Sequence, residues 1–237
     1  RYVPNARITL GHAMSGKLNF PRRAATCYLN SATMDVQKDF MEATKKLLEA
    51  YSVKCPVYIL KADGGTYAIH DSSLLPAQTI QSGVAASIMG AYAFSKRQNG
   101  VIVDIGGTTT DIGFLVDGSP LFLPQGIELK GMKTLIQGFL TISVACGGDS
   151  CVRLVDGDFK IGPERKGPAV AFGGEHPTPT DAMIVQGLLE VNDAQRAKAF
   201  SALQQFVDEG FEDVHNVAGR ILDKVCEIIF RAVDNTR

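Results

Sequence analysis

A ten-residue stretch in the middle of the chain decides the fold: Asp104-Ile105-Gly106-Gly107-Thr108-Thr109-Thr110-Asp111-Ile112-Gly113. It follows the apolar run Val101-Ile102-Val103, which predicts a buried strand, and a second predicted strand continues from Asp111 to Val116. Two consecutive glycines allow the chain to turn sharply with no Cβ in the way, so backbone N–H groups can converge on an anion. The stretch therefore predicts a hairpin that can approach a bound group closely.

The side chains of this hairpin indicate the chemistry of that group. The hydroxyls of Thr108, Thr109 and Thr110 add donors at the rim of the turn. Asp104 and Asp111 would repel a phosphate directly, but they fit a site in which a divalent cation stands between carboxylate and phosphate, usually through water for Mg²⁺. An ordinary hairpin with a Gly-Gly turn is the alternative. The complete pattern favours a nucleotide-phosphate and Mg²⁺ site.

The sequence before the hairpin alternates between predicted helices and strands, which is typical of an α/β protein. Apolar residues at three- and four-residue spacing predict a helix from Met34 to Tyr51 with one buried face, formed by Val36, Phe40, Ala43, Leu47 and Leu48. Short strands are predicted at Arg7–Leu10 and, buried, at Val57–Leu60, and a helix rich in small residues at Ser82–Ser95. We place a domain boundary in the polar break that follows, between residues 97 and 98.

The sequence after the hairpin predicts more strands and then helices. A turn at residues 117–120 leads to a third strand of a meander, Leu121–Leu123, and a further hairpin is predicted from Val152 to Ile161. Residues 162–181 are dense in Gly and Pro and predict a long loop, a kind that is usually functional or mobile. Helices are predicted at residues 180–190, 193–209 and 211–235, and the last carries an apolar stripe for the core or an interface.

Composition excludes several classes of protein. The 237 residues are 45% hydrophobic and 21% charged with a net charge of −1, which argues against disorder, a nucleic-acid platform and a polybasic membrane surface. The five cysteines are few and odd in number, which argues against a disulfide framework and favours a reducing compartment. We expect a soluble, cytoplasmic protein with no nucleic-acid or membrane partner, and the absence of an initiator Met at Arg1 suggests a piece of a longer chain.

The hairpin resembles the second phosphate-binding motif of the actin/Hsp70/sugar-kinase ATPase superfamily, and the Ser82–Phe94 helix resembles the connecting helix of that fold. More narrowly, the order and spacing of Ser82–Ser87, the hairpin and Pro177–Ala182 resemble the hydantoinase A/oxoprolinase family. The resemblance covers essentially the whole chain. Two weaker landmarks of the same family are Ile8–His12 and Lys61–Gly65.

The resemblance implies an α/β, actin-like ATPase (ribonuclease H-like) fold, a mixed sheet with flanking helices. Residues 1–97 would be the later part of a first domain and residues 98–237 the front of a second. Members of the family use ATP to open a cyclic amide or imide such as hydantoin or 5-oxoproline by phosphorylating the ring carbonyl oxygen. The implied partners are that small substrate, a missing N-terminal ATPase region and a second hydantoinase-type subunit. The alternatives are a nucleotide-gated regulatory or chaperone-like ATPase and an interaction domain with a vestigial site.

The resemblance also assigns roles to the hairpin residues. Gly106, Gly107 and Thr108–Thr110 would cradle the β- and γ-phosphates of ATP. Asp104 would orient Mg²⁺ or its waters, and Asp111 would act nearby as a second metal-shell or water-orienting group. In the later loop Val144–Ser150, Cys146 and Asp149 stand where many relatives have glycine, so we expect this loop to be less open and more negative.

Several other patterns are weighed against simpler explanations. Gly11–Lys17 nearly spells a P-loop, but Leu18 replaces the required Ser or Thr and Asn19-Phe20-Pro21 should block the helix that must follow. His176 and Asp181 are candidates for a substrate or metal role, against helix capping by Asp181. The cysteines are expected to be free thiols rather than zinc ligands, and three of them are expected in the core: Cys27, Cys55 and Cys226.

Overall fold

The computed structural model describes residues 8–69, 73–95 and 97–235. The chain forms two compact units, the first made of Arg1–Ile102 with Gly113–Thr141 and the second of Val103–Ile112 with Ile142–Arg237. The hairpin tip therefore belongs to the same unit as the C-terminal part of the chain. The predicted boundary between residues 97 and 98 concerns ATPase-type domains and stays a prediction.

The first unit begins with two helices, α1 (Gly11–Met14) and α2 (Phe20–Ala50). Helix α2 includes the helix predicted from Met34 and begins earlier, at Phe20. Arg7 lies outside the described residues, and Ile8–Leu10 do not form a strand. The side chain of Asn19 accepts a hydrogen bond from the N–H of Arg22 and caps α2, and Pro21 lies in the first turn. Proline is tolerated there because its missing N–H would have no intrahelical partner. The expectation that Pro21 blocks a helix is therefore wrong.

The predicted apolar face of α2 is present, but it is not buried. Val36 is 72% exposed, Phe40 54% and Leu47 58%. The helix instead buries Thr26, Asn30 and Met41, which lie on other faces. The spacing predicted the helix correctly, whereas periodicity alone says nothing about whether this chain supplies a cover for the apolar face.

The first unit continues with two pairs of short strands, a 3₁₀ turn and a helix. They are β1 (Tyr58–Leu60) and β2 (Thr66–Ala68), which pair antiparallel, a 3₁₀ turn (Pro76–Thr79), α3 (Ser82–Ser95), and β6 (Glu128–Leu129) and β7 (Met132–Lys133), also antiparallel. The helix has the bounds that the sequence predicted, and β1 is half exposed rather than buried. Two small apolar clusters form the core of this unit, one around Ile127 and Ile136 and one around Ile88 and Phe139.

A four-stranded sheet contains the predicted hairpin. Its strands are β3 (Gly100–Ile105), β4 (Thr110–Val116), β5 (Ser119–Pro120) and β8 (Thr141–Val144). The order is β3-β4-β5, with β8 also pairing β4. The third strand of the meander lies at Ser119–Pro120 rather than at Leu121–Leu123, because Asp117 (φ 49°) and Gly118 (φ 73°) form a tight two-residue turn. Strand β3 is mostly exposed, so its prediction as a buried strand is wrong.

The second unit packs a hairpin against three helices. The hairpin is β9 (Ser150–Val155) with β10 (Asp158–Arg165), and the helices are α4 (Pro179–Val185), α5 (Asp193–Val207) and α6 (Val214–Asp234). This confirms the predicted hairpin, which extends beyond Val152–Ile161 at both ends, and the three helices, each of which is shorter than predicted. The apolar stripe of α6 buries Val217, Ile221 and Val225 in the core, where each large side chain contributes roughly 1.5–3 kcal/mol. Within the described ranges, no helix is long and apolar enough to cross a membrane.

Candidate functional site

The tip of the β3–β4 hairpin is a tight, exposed turn. The N–H of Gly106 donates to the carbonyl of Thr109 at 2.9 Å, which leaves Gly107 and Thr108 at the corner. Both corner residues are exposed, and their N–H groups have no acceptor within the described part of the chain. Backbone N–H groups that converge on solvent in this way can bind an anion.

The two carboxylates lie on the strands that flank this turn. Continuing the antiparallel register from the Gly106–Thr109 bond places Asp104 opposite Asp111, and opposite residues project from the same face of a sheet. Asp104 is exposed and Asp111 half-buried. The described residues contain no group of three or more His, Cys, Asp or Glu that could hold a metal ion by itself. A cation at this pair would therefore also need phosphate or water oxygens as ligands.

A second loop, residues 147–149, holds the hairpin tip through backbone hydrogen bonds, and we call it the bracing loop. The N–H of Gly148 donates to the carbonyl of Gly106 at 2.9 Å, and that of Asp149 donates to the carbonyl of Gly107 at 2.8 Å. The hydroxyl of Thr110 is fully buried and donates to the carbonyl of Cys146 at 2.7 Å. Thr110 is thus placed away from the rim, where the sequence had predicted its hydroxyl, because this bond holds it in the core.

The glycines of both segments are explained by this close approach. A Cβ on Gly147 would lie 2.6 Å from the carbonyl oxygen of Gly106 and 2.7 Å from the backbone of Gly107. A Cβ on Gly107 would lie 2.7 Å from Oδ2 of Asp149. Neither glycine has a positive φ, so the close approach and not an unusual backbone conformation explains them. The contact at Gly147 is with backbone atoms, which cannot move aside, whereas that at Gly107 is with the end of a side chain.

The start of α4 holds the bracing loop in turn. Both the N–H and the hydroxyl of Thr180 donate to the carbonyl of Gly148, at 2.9 and 2.8 Å. Asp181 is completely buried and forms a capping box with Thr178. Its carboxylate also accepts hydrogen bonds from the N–H groups of Val170 at 3.1 Å and Ala171 at 2.9 Å. Asp181 is therefore a capping residue that orders the Gly/Pro-rich loop, and His176 is half-buried within that loop.

The sequence predicted that Asp149 makes this loop more negative. In the structure, the negative charge of Asp149 is compensated. Nη2 of Arg165, at the end of β10, donates to Oδ2 of Asp149 at 2.7 Å. The second replaced glycine position is equally well accommodated, since Cys146 is 1% exposed and burial raises the pKa of its thiol. The loop packs tightly, and its charge is balanced.

The remaining predicted features have structural explanations. All five cysteines are free, but Cys55 and Cys226 are exposed, so their assignment to the core is wrong. In the segment Gly11–Lys17, which nearly spells a P-loop, Nζ of Lys17 donates to the carbonyl of Pro124 at 2.6 Å. His70, which had no assigned role, lies outside the described residues.

The chain is similar in sequence to a protein family and to several known proteins. A family model described as hydantoinase/oxoprolinase matches residues 23–237. The acetophenone carboxylase gamma subunit of Aromatoleum aromaticum is 25% identical over 239 residues, which cover 92% of this chain and 32% of that protein. An uncharacterised protein of Methanocaldococcus jannaschii is 27% identical over 217 residues, covering 79% of this chain and 31% of that protein. The 5-oxoprolinase of Saccharomyces cerevisiae is 26% identical over 199 residues, with coverage of 80% and 15%.

Two solved structures share the fold. The nucleotide-free structure of acetone carboxylase, from work on ATP-dependent acetone carboxylation, superimposes with a TM-score of 0.70 at 21% identity, covering 88% of this chain and 31% of that chain. The ATP-dependent caprolactamase of Pseudomonas jessenii gives a TM-score of 0.71 at 19% identity, with coverage of 100% and 36%. These likenesses confirm the predicted α/β, actin-like fold class.

The chain spans about a third or less of the length of these relatives, with 31%, 32% and 15% of the three proteins covered. This fits the expectation that it corresponds to part of a larger protein. The family match extends over nearly all of the sequence, including the hairpin, the bracing loop and the capped start of α4. The chain belongs to the hydantoinase/oxoprolinase family.

Proposed function

We propose that this chain supplies the second phosphate-binding hairpin of an ATP-dependent enzyme that opens a cyclic amide or imide, as in hydantoinases and 5-oxoprolinases. The observation that carries the proposal is the exposed turn at Gly106–Thr109, in which the N–H groups of Gly107 and Thr108 have no acceptor among the described residues and the backbone is braced by residues 147–149. Donors that are preorganised by the surrounding structure suit phosphoryl transfer, where positioning and charge neutralisation dominate.

The residues of the hairpin then divide into three roles. The backbone of Gly106 and Gly107, with the hydroxyls of Thr108 and Thr109, binds the phosphates. Thr110 holds the hairpin to the bracing loop through its bond of 2.7 Å to Cys146. Asp104 and Asp111, on one face beside the turn, fit the oxygen-ligand chemistry of Mg²⁺ and orient it or its waters. Mg²⁺ would neutralise charge on the phosphates when bound.

The proposed chemistry makes a stable amide reactive. Transfer of the γ-phosphoryl group from ATP to the ring carbonyl oxygen leaves ADP and makes the carbonyl carbon electrophilic. Water adds to that carbon, the C–N bond breaks as the nitrogen takes up a proton, and a second water hydrolyses the resulting acyl phosphate to carboxylate and phosphate. The ATP-dependent caprolactamase and 5-oxoprolinase among the similar proteins support a cyclic amide as the substrate class. The acetophenone carboxylase gamma subunit is by name one subunit of an assembly, which supports a second subunit as partner. The cytoplasmic location expected from the sequence stays a prediction.

The test is ATP hydrolysis by the full-length protein with and without hydantoin and 5-oxoproline. We expect the ring compounds to stimulate hydrolysis, and Asp104→Ala to abolish it while far-UV circular dichroism is unchanged. Asp223→Ala, an exposed carboxylate on α6, is the matched control and should retain activity. Unchanged ATPase activity in Asp104→Ala would refute the metal assignment. An ATP hydrolysis rate that no ring compound changes would instead favour a regulatory or chaperone-like ATPase.

A further inference from the structure

We propose that Arg165, held in place by Asp149, contacts the phosphate group that binds at the Gly106–Thr109 turn. This inference rests on the proposed function of the hairpin and adds to it a residue that lies far from it in sequence. Arg165 would be a binding residue for the terminal phosphates of ATP, and Asp149 a positioning residue that acts through Arg165.

The position of the pair is the first argument. A Cβ on Gly107 would lie 2.7 Å from Oδ2 of Asp149 and 3.9 Å from Nη2 of Arg165. The carboxylate and the guanidinium therefore stand directly beside the Cα atom of Gly107, at the exposed tip of the hairpin. The backbone sets this position, because the N–H of Asp149 donates to the carbonyl of Gly107 at 2.8 Å and Arg165 pairs with Ser150 in the β9–β10 register.

The unused donors of Arg165 are the second argument. A guanidinium carries five N–H groups in a planar fork that matches phosphate oxygens. Within the described residues, its one hydrogen bond is the 2.7 Å bond from Nη2 to Asp149. The side chain of Arg165 is 46% exposed, so the other donors remain accessible to a ligand at the turn.

Charge is the third argument. Asp149 alone would oppose a phosphate at the neighbouring N–H groups, since like charges repel. Arg165 compensates the charge of Asp149 beside the N–H groups of the turn. Two nearby cations are directed elsewhere, because Arg153 and Lys166 both approach Glu164, at 3.7 and 3.8 Å. Of these three cations, Arg165 is the one that lies beside Gly107.

The experiment measures the dissociation constants of Mg²⁺-ATP, ADP and AMP for the full-length protein by calorimetry. We expect Arg165→Ala to weaken ATP and ADP binding by about tenfold or more, since it removes charge-assisted bonds and leaves Asp149 unpaired. AMP binding should change less than about twofold, because AMP lacks the phosphates concerned. Arg165→Lys keeps the charge without the fork and should fall between. Lys166→Ala makes the same change in net charge at the next residue and is the control, with ATP binding close to that of the unmodified protein.

The double variant Asp149→Asn/Arg165→Ala separates contact from charge compensation. We expect it to recover part of the lost ATP affinity, because the repelling carboxylate is gone while the phosphate contact is still missing. Full recovery would show that Arg165 only neutralises Asp149 and would overturn the contact. Equal ATP binding by Arg165→Ala and the unmodified protein would also overturn it and leave the proposed function standing. Failure of the unmodified protein to bind ATP would refute the proposed function and this inference with it.

Discussion

Substituting Gly147 by alanine tests whether the bracing loop holds the hairpin tip in place. The new Cβ would meet the carbonyl oxygen of Gly106 at 2.6 Å and the carbonyl carbon of Gly107 at 2.7 Å. Both are backbone atoms, so neither can rotate away as a flexible side chain would. The two segments must separate, and the substitution should therefore disturb the turn without touching any of its own residues.

The expected magnitude follows from two contributions. Overpacking of a tight contact costs about 1–3 kcal/mol. Separation also weakens the bonds that Gly148 and Asp149 donate to the hairpin at 2.9 and 2.8 Å. Each such bond contributes about 0.5–1.5 kcal/mol. A local loss of about 3 kcal/mol corresponds to roughly 100-fold less protection against opening.

Hydrogen exchange followed by mass spectrometry is the suitable assay, since it reports on the Gly148 and Asp149 amides even within a large protein. We expect peptides that cover residues 146–150 to exchange roughly 100-fold faster in Gly147→Ala. Gly219→Ala is the control, because its Cβ would meet nothing closer than the Gln186 side chain at 3.5 Å. Alanine in that helix should stabilise it by up to about 1 kcal/mol. Unchanged exchange at residues 146–150 in Gly147→Ala would refute the reasoning.

Two further predictions concern other groups of the second unit. Asp181→Asn should destabilise the Gly/Pro-rich loop by about 1–3 kcal/mol, because an amide NH₂ cannot accept the bonds that the buried carboxylate receives from Val170, Ala171 and Thr178. Limited proteolysis within residues 166–178 should become faster. The control variant Asp193→Asn, on α5, should be cleaved at the same rate as the unmodified protein. Iodoacetamide should label the exposed Cys55 and Cys226 first and Cys146 last, since burial both hides that thiol and raises its pKa. Mass spectrometry showing Cys146 labelled as fast as Cys226 would contradict this.

Local patterns predicted the elements of this chain better than their surroundings. The bounds of α3 and the presence of the β9–β10 hairpin follow from short-range spacing and turn residues, and the structure has both, with a longer hairpin than predicted. The start of α2 was missed because Pro21 can either break a helix or open one, and the deciding bond comes from Asn19. The exposure of Phe40 could not be foreseen, since burial depends on what packs against a helix and not on the helix itself.

The same division holds for the candidate site. The hairpin was found from a contiguous pattern of ten residues, and its assigned roles stay predictions. Contacts across long sequence separations were not visible, and they include both the bond from Thr110 to Cys146 and the pair of Asp149 with Arg165. A glycine next to a glycine signalled close approach, but only the structure identifies the approaching segment as residues 147–149.

The division of the second unit into Val103–Ile112 and Ile142–Arg237 has a consequence for its synthesis. The turn leaves the ribosome about 70 residues before Thr180, which completes its support through Gly148. At roughly 5–20 residues per second, the nascent hairpin waits about 4–14 s before this support is complete. We expect this interval to be the period in which the growing chain is most open to chaperones and to mispairing of β3. Any truncation before Thr180 would prolong it indefinitely.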